Sequence, residues 1–321
     1  MFNYSIYGIS FSSTFPFRSS LPSSTTPPIL QVSEQYGTRS LSDADSIIPI
    51  PEEYWNIVTP TAIYRYAEED IFHFPNGDQI VIHPRAITCL HAKSGPIATD
   101  IKDVRLLGIT FAWWLLREGR VPFHAGAVAV EGEAILFTAD SGMGKSSLIC
   151  SLVQKNIPLI CDDLVAVHLS SDNQLIASSA YPQMRLWPPS VSQFVGDPQD
   201  YPTVYDGGTK RRVRIGETWG QFLAGTFPVS RIYLLERRKS MDGSVDLKRL
   251  SGHEAFMQLL ITMTMGGIFP TSELMDIWSV IEQFVEQVPV YQISYPTGWQ
   301  WLPTIHQAIL HPDLFSMGTV T

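Results

Sequence analysis

The residues best suited to chemistry lie in one segment, Ala134-Ile135-Leu136-Phe137-Thr138-Ala139-Asp140-Ser141-Gly142-Met143-Gly144-Lys145-Ser146-Ser147-Leu148. Its core follows the pattern G-x-x-x-x-G-K-[ST], with Ala139 at the first glycine position. Gly142 and Gly144 can adopt positive φ, so successive backbone N–H groups can turn into one concavity that attracts phosphate. The N-terminus of a following helix adds to that attraction. Lys145 is a mobile point charge for β- and γ-phosphates, and the Ser146 hydroxyl is a hard oxygen ligand for Mg²⁺. Ala139, Asp140, Ser141, Gly142, Met143, Gly144, Lys145, Ser146 and Ser147 are therefore expected to cradle a nucleoside triphosphate with its Mg²⁺. The plainer alternative is a glycine-rich turn with an ordinary surface lysine. The context favours phosphate, because a β-type apolar run precedes the loop and a helix-forming run follows it. Ala139 needs only a modest backbone adjustment, since a small residue there can still pack.

Asp162 and Asp163 follow the apolar run Leu159–Cys161. In open α/β sheets, ligands sit at the carboxyl ends of strands. One carboxylate there can hold Mg²⁺, and the other can orient or deprotonate an attacking hydroxyl. The alternative is a pair of loop aspartates in a turn. His124 begins a strand, Phe123–Val130, that leads through Glu131-Gly132-Glu133 into the strand before the loop. Antiparallel pairing would bring it near the loop, though a satisfied core histidine is the simpler reading. Thr209-Lys210-Arg211-Arg212, after Gly207-Gly208, can swing onto phosphates or stay a solvated basic loop. Arg237-Arg238-Lys239 reads as a solvated face.

The elements that must position these residues fall into two regions. Residues 1–98 read as a β-rich domain. A strand is expected over residues 1–10, then a Ser/Thr/Pro-rich loop over 11–52 with one or two short edge strands and partial disorder. A hairpin is expected at Asn76-Gly77, between Asp70–Phe74 and Ile80–Ile82. Residues 99–321 read as an α/β domain with a mixed sheet. A buried helix over Asp100–Arg120 should place Trp113 and Trp114 in the core. Strands are expected at Ala134–Thr138, Leu159–Cys161, Leu164–His168, Met184–Trp187 and Arg231–Leu235. Helices are expected at Lys145–Lys155, Gly252–Met265, Thr271–Gln287 and Trp301–Leu310.

The bulk numbers exclude other classes. The chain has 321 residues, 17% charged, with a formal net charge of −9. No Lys/Arg run exceeds three residues, so there is no electrostatic footprint for nucleic acid. The longest apolar stretch, Leu106–Leu116, has 11 residues, against roughly 20 for a membrane span. The N-terminus lacks the basic region of a secretory signal. Cys89, Cys150 and Cys161 show no CxxC spacing, which argues against a zinc site and for a reduced, cytoplasmic setting.

Together these residues resemble the catalytic domain of the HPr kinase/phosphorylase family, and more closely the HPr-kinase-like proteins that include kinases of lasso-peptide precursors. His124 lies 15 positions before Ala139, and Asp162 lies 17 positions after Lys145, spacings similar to the family's. The resemblance covers about residues 99–190. It implies a phosphoenolpyruvate-carboxykinase-like P-loop fold, ATP and Mg²⁺ as cofactors, and a peptide or small protein as phosphoacceptor. It implies Asp162 as general base on a serine hydroxyl, Asp163 and Ser146 at the metal, and His124 beside the base. Arg185 falls where the family has an arginine in a second signature. That signature carries a metal-binding glutamate two positions earlier, where this chain has Gln183, a weaker ligand. The resemblance also implies homo-oligomers.

Three readings follow: an ATP-dependent serine kinase, a non-catalytic nucleotide-binding regulatory protein, and a small-molecule enzyme such as a carboxykinase, for which the chain is short. Lys145→Ala is expected to weaken nucleotide binding under the first two, as calorimetry would detect. Unchanged binding would leave the loop a simple turn.

Overall fold

Runs of alternating and β-branched residues give this chain nineteen strands against seven α-helices among the described residues. The computed structural model describes residues 1–54, 56–93, 99–140, 142–239, 243–263 and 278–315. The first sheet contains β1 (Phe2–Ile6), β2 (Ile9–Ser13), β3 (Leu30–Tyr36), β4 (Ser46–Pro49), β5 (Ala62–Arg65), β6 (Asp70–His73), β7 (Gln79–His83) and β8 (Ala86–His91). Its order is β1-β2-β3-β8-β7-β6-β5-β4. The Asn76-Gly77 hairpin forms as expected, with Gly77 at φ +85° joining β6 to β7. The Ser/Thr/Pro-rich stretch departs from expectation. It contributes β3 to the middle of the sheet, parallel to both β2 and β8. Leu30 and Val32 are buried there, and two flanking ladders outweigh the local bias of the composition towards loop.

The expected helix over Asp100–Arg120 is interrupted. It runs as α1 (Thr99–Arg105), a π-helical turn over Leu106–Thr110 and α2 (Phe111–Arg117). The break lies at Gly108, whose φ of −100° and ψ of −110° are not helical. Trp113 and Trp114 are core residues, as expected. Trp113 Nε1 donates to Asp70 Oδ2 at 2.7 Å, and its ring meets Phe72 edge-on. Burying these large rings while giving the indole N–H a partner ties the helix to the first sheet.

The second sheet and a small third one follow. The strands are β9 (Val121–Phe123), β10 (Ala125–Val130), β11 (Glu133–Thr138), β12 (Leu159–Cys161), β13 (Val165–Leu169), β14 (Leu175–Ser178), β15 (Gln183–Leu186), β16 (Arg211–Arg214), β17 (Thr226–Arg238), β18 (Asp246–Arg249) and β19 (Val290–Pro296). The main path is β12-β10-β11-β17-β14-β13-β9, with β19 on β17 and β18 on β19, while β15 and β16 pair apart. β17 is long because it serves two partner sets: its start pairs with β14 and the remainder with β11 and β19. The strand expected over Phe123–Val130 is split at His124, since β9 joins β13 whereas β10 joins β11 and β12.

The helices of this region are α3 (Lys145–Gln154), α4 (Pro188–Phe194), α5 (Gly252–Met263), α6 (Trp278–Gln287) and α7 (Leu302–Leu310). The expected extensions of α5 and α6 into 264–277 lie outside the described residues. Leu148 and Leu152 of α3 and Ile305 of α7 pack on Ile135, Phe137 and Ile293 in one core. Leu259 of α5 and Phe284 of α6 join a second core that runs through Leu136 to Phe111, Trp113 and Phe11. That continuity joins the β-rich first region to the mixed sheet. No helix among the described residues is long and apolar enough to cross a membrane.

Gly126 of β10 sits where no side chain fits. A Cβ there would lie 2.2 Å from Ile149 Cδ1 and 2.8 Å from the Asp162 carbonyl oxygen. The absent side chain lets α3 and the end of β12 close on β10 together. Gly126→Ala is expected to lower stability by about 1–3 kcal/mol through overpacking, read as a lower urea midpoint. A midpoint equal to that of the parent chain would show that α3 and β12 can separate freely.

Candidate active site

At the end of β11 the chain turns through the loop 139–144, of which Ser141 lies outside the described residues. Gly142 and Gly144 both take positive φ, +83° and +100°, which side chains resist and glycine does not. Met143 N–H donates to the Asp140 carbonyl at 3.1 Å, closing the turn. Gly144 is the N-cap of α3, so the first-turn N–H groups at Lys145, Ser146 and Ser147 are not bonded within the helix. Ala139 is half-buried against the α3 core. Its methyl group is accommodated where the pattern has glycine.

Lys145 is buried at 8% exposure, an unusual place for an ammonium. Its Nζ donates to the His124 carbonyl at 3.1 Å. Burial lowers its pKa, and Asp163 and Asp162 act in the opposite direction. The break between β9 and β10 exposes that carbonyl, so the split strand and the lysine are one arrangement.

Asp162 and Asp163 leave β12 beside this lysine. Asp162 Oδ2 accepts the Arg185 backbone N–H at 2.8 Å. Asp163 Oδ2 accepts Arg185 Nη1 at 2.9 Å, and Arg185 Nη2 donates to Tyr181 Oη at 3.2 Å. Residue 185 therefore holds both carboxylates, one through its backbone and one through its side chain. Asp162 Oδ1 is buried and has no hydrogen-bond partner among the described residues. Burial, then the charge of Asp163, pushes the Asp162 carboxyl up, against the Arg185 N–H, Lys145 and Ser146. For Asp163, burial also opposes ionisation, but Arg185, His124, Lys145 and Lys210 outweigh it and hold the carboxyl well below its usual range. The two neighbours are thus driven apart, one more basic and one firmly ionised.

His124 Nδ1 lies 3.6 Å from Asp163 Oδ1, too far for a hydrogen bond. Burial, with Lys145 and Lys210, lowers its pKa to about 4 despite Asp163. The imidazole is therefore neutral near pH 7. Ser146, half-buried at the start of α3, interacts with the Asp162 carboxyl. Ser147 Oγ is 2.6 Å from Ser190 Oγ of α4. The structure thus brings together Lys145, Ser146, Asp162, Asp163, His124 and Arg185.

The basic residues separate. Lys210 is close enough for its charge to act on His124 and Asp163, and its Nζ lies 5.5 Å from the centre of the Trp187 ring. Arg212 does not face the site. Arg212 Nη2 is buried on Asp100 Oδ1 at 3.2 Å and the Val204 carbonyl at 2.8 Å. Arg237, expected on a solvated face, instead donates from Nη2 to the Gly142 carbonyl at 2.8 Å. Tyr295 Oη donates to the Met143 carbonyl at 3.2 Å. These two loop contacts were not legible beforehand, because they depend on β17 and β19 ending beside the loop. Tyr7 was also missed. It sits at φ +55° in the β1–β2 turn, is buried, and lines a small cavity with Asp162, Asp163, Gln183 and Arg185. Nothing in a Tyr-Gly dipeptide signals that position. Gln183 is buried, and its Oε1 also lacks a partner among the described residues.

Ser146 Oγ, at the first turn of α3, is a hard oxygen that fits a cation taking only one or two protein ligands, as Mg²⁺ bound to phosphates does. Asp163 is drawn instead towards Arg185 and His124. No larger cluster of His, Cys, Asp and Glu suited to a metal occurs among the described residues.

No family model matches the chain. It is similar to curated HPr kinase/phosphorylases from Lachnoclostridium phytofermentans, 38% identical over 60 residues covering 19% of each chain, and Prosthecochloris aestuarii, 38% over 56 residues covering 17% of this chain and 16% of the relative. A third, from Pelodictyon phaeoclathratiforme, is 33% identical over 54 residues, 17% of this chain and 16% of the relative. The aligned part thus spans less than a fifth of these relatives' length. Over these short segments the chain is similar to HPr kinase/phosphorylases. Among solved structures, the Hpr(Ser) kinase/phosphatase from Coxiella burnetii matches at 14% identity and a TM-score of 0.33, over 61% of this chain and 97% of that one.

A buried carboxyl whose folded pKa exceeds its unfolded value of 3.8 costs stability once the pH has risen past that value. Asp162→Asn keeps an acceptor for the Arg185 N–H and removes the charge. It is expected to stabilise the fold at pH 7 by about 0.5–2 kcal/mol, with the gain shrinking as the pH falls towards 3.8. Urea midpoints across that range would test this, and a loss of stability at pH 7 would show that the carboxylate is favourably held.

Proposed function

We propose that this protein is an HPr-kinase-like enzyme that transfers the γ-phosphoryl group of ATP to a serine hydroxyl on a peptide or small protein. The observation that carries the reading is Asp162 Oδ1: a buried carboxylate oxygen with no partner among the described residues, made more basic by its surroundings, beside Lys145 and Ser146. Such an atom suits a general base poised for an incoming hydroxyl. Asp162 takes the serine proton as the serine oxygen bonds to the γ-phosphorus and the bond to the ADP oxygen breaks. The loop 139–144 and the first turn of α3 hold the phosphates, and Lys145 offsets their charge. Ser146 would hold a Mg²⁺ whose charge would offset that of the phosphates, while Asp163 stays with Arg185. Arg185 fixes the directions of both carboxylates, and neutral His124 borders the base without competing for its proton.

In this reading residues 99–321 form a phosphoenolpyruvate-carboxykinase-like catalytic domain and residues 1–98 a β-rich domain before it. The enzyme would act in the cytoplasm, as a homo-oligomer. One observation favours the second reading, a nucleotide-binding protein without transfer. Gln183 is buried at the position of the family's glutamate, and Asp163 is engaged by Arg185. Both reduce the carboxylate available to a metal.

The deciding experiment incubates the protein with ATP, Mg²⁺ and serine-containing peptides and small proteins, followed by mass spectrometry. The expected result is one phosphate on a serine with the parent chain. Asp162→Asn should bind ATP within about threefold of the parent yet lose transfer by at least ~100-fold, the scale of general-base catalysis. Transfer that survives Asp162→Asn would remove Asp162 from the role of base.

A further inference from the structure

Two cavities flank the glycine loop on opposite faces of the sheet. The larger, about 470 Å³, lies beneath α5 and is bordered by Asp140, Met257 and Ile261. The smaller, about 240 Å³, opens beside the first turn of α3, between Gly144, Ser147 and Leu148 on one side and Tyr295, Trp299 and Leu302 on the other. Only the smaller is lined by the start of α3.

The direction of a bound nucleotide follows from the charges already placed. Lys145 Nζ points to the β10 side, at the His124 carbonyl, and Asp162 and Asp163 lie on that same side. With the γ-phosphate there, the first turn of α3 offers the rest of the molecule a path past Ser147, which lines the smaller cavity. The smaller cavity stands on that route. Its lining includes two aromatic rings, Tyr295 and Trp299, the aliphatic Leu302 and Ile305, and Arg237. The walls are braced. Tyr295 Oη and Arg237 Nη2 are anchored on carbonyls of the loop itself, and the Trp299 ring meets Phe194 of α4 edge-on at 5.1 Å between centroids. Trp299 is nevertheless 41% exposed, so a face of the indole is available. A largely apolar cavity of this size suits a nucleobase and not a whole nucleotide, because drug-sized ligands fill roughly 300–1,000 Å³.

We propose that this cavity is the nucleobase subsite, in which the base of the triphosphate lies against Trp299. The proposal rests on the phosphate-loop reading above. It assigns to Trp299, Tyr295 and Leu302 a role in telling a nucleoside triphosphate from a bare polyphosphate.

The experiment measures calorimetric affinities of the full-length chain for ATP and for inorganic tripolyphosphate, each with Mg²⁺. The chains compared are the parent, Trp299→Ala, Trp299→Phe and, in the opposite cavity, Met257→Ala. The expected result is that Trp299→Ala weakens ATP about tenfold, within the range for loss of base–aromatic stacking, and leaves tripolyphosphate unchanged. Trp299→Phe should recover most of the ATP affinity, which a merely unfolded chain would not. Equal ATP binding by Trp299→Ala and the parent would overturn the subsite and leave the phosphate loop standing, as would a loss seen with Met257→Ala instead. Failure of the parent to bind either ligand would overturn the phosphate loop and the subsite together.

Discussion

Two consecutive carboxylates at a buried strand end repel one another and lose their hydration, and the arrangement of this site depends on how residue 185 resolves that conflict. Its backbone N–H satisfies Asp162 and its guanidinium satisfies Asp163. A shared positive partner would lower both pKa values; this division lowers one and leaves the other raised. The guanidinium is itself buried and further bonded to Tyr181. Removing it would therefore leave the half-buried Asp163 without its counter-charge beside the buried Asp162.

The geometry that brings residue 185 to β12 comes from several distant pieces of chain. β15 carries it, and β15 is held by β16 and not by the main sheet. Gly126 lets β10 approach the end of β12 closely. Tyr7, from the very first turn of the chain, closes the cavity under Asp162 and Asp163, and its N–H donates to the Ser179 carbonyl at 2.7 Å. A bulky residue at positive φ is strained, and it is tolerated here because the ring is fully packed. The β-rich region thus contributes to the floor of the site, besides packing on its sheet.

The loop is tied on both sides by residues from different strands. Lys145 reaches the His124 carbonyl at the break between β9 and β10, while Arg237 and Tyr295 reach the loop carbonyls from β17 and β19. Such bracing keeps the loop close to one shape, which suits a group that must position phosphates and not merely attract them.

Much of this was written in local sequence. The strand–glycine loop–helix around Lys145, the Asp162-Asp163 pair at a strand end and the Asn76-Gly77 hairpin all follow from spacing and from the special freedom of glycine, which act within a few residues. Trp113 and Trp114 were likewise readable as core from the density of apolar residues around them. Other features had no local sign. The central position of β3, the split of the strand at His124, the anchoring of Arg237 on Gly142 and the burial of Arg212 on Asp100 depend on partners up to about a hundred residues away. The same holds for the opposed pKa shifts of two adjacent aspartates, since identical side chains one residue apart differ only in what the fold places against them. Sequence by itself determined which chemical groups are present and which local turns they can make. The tertiary structure decided which of them meet, because burial and electrostatic pairing act through space and carry no signature along the chain.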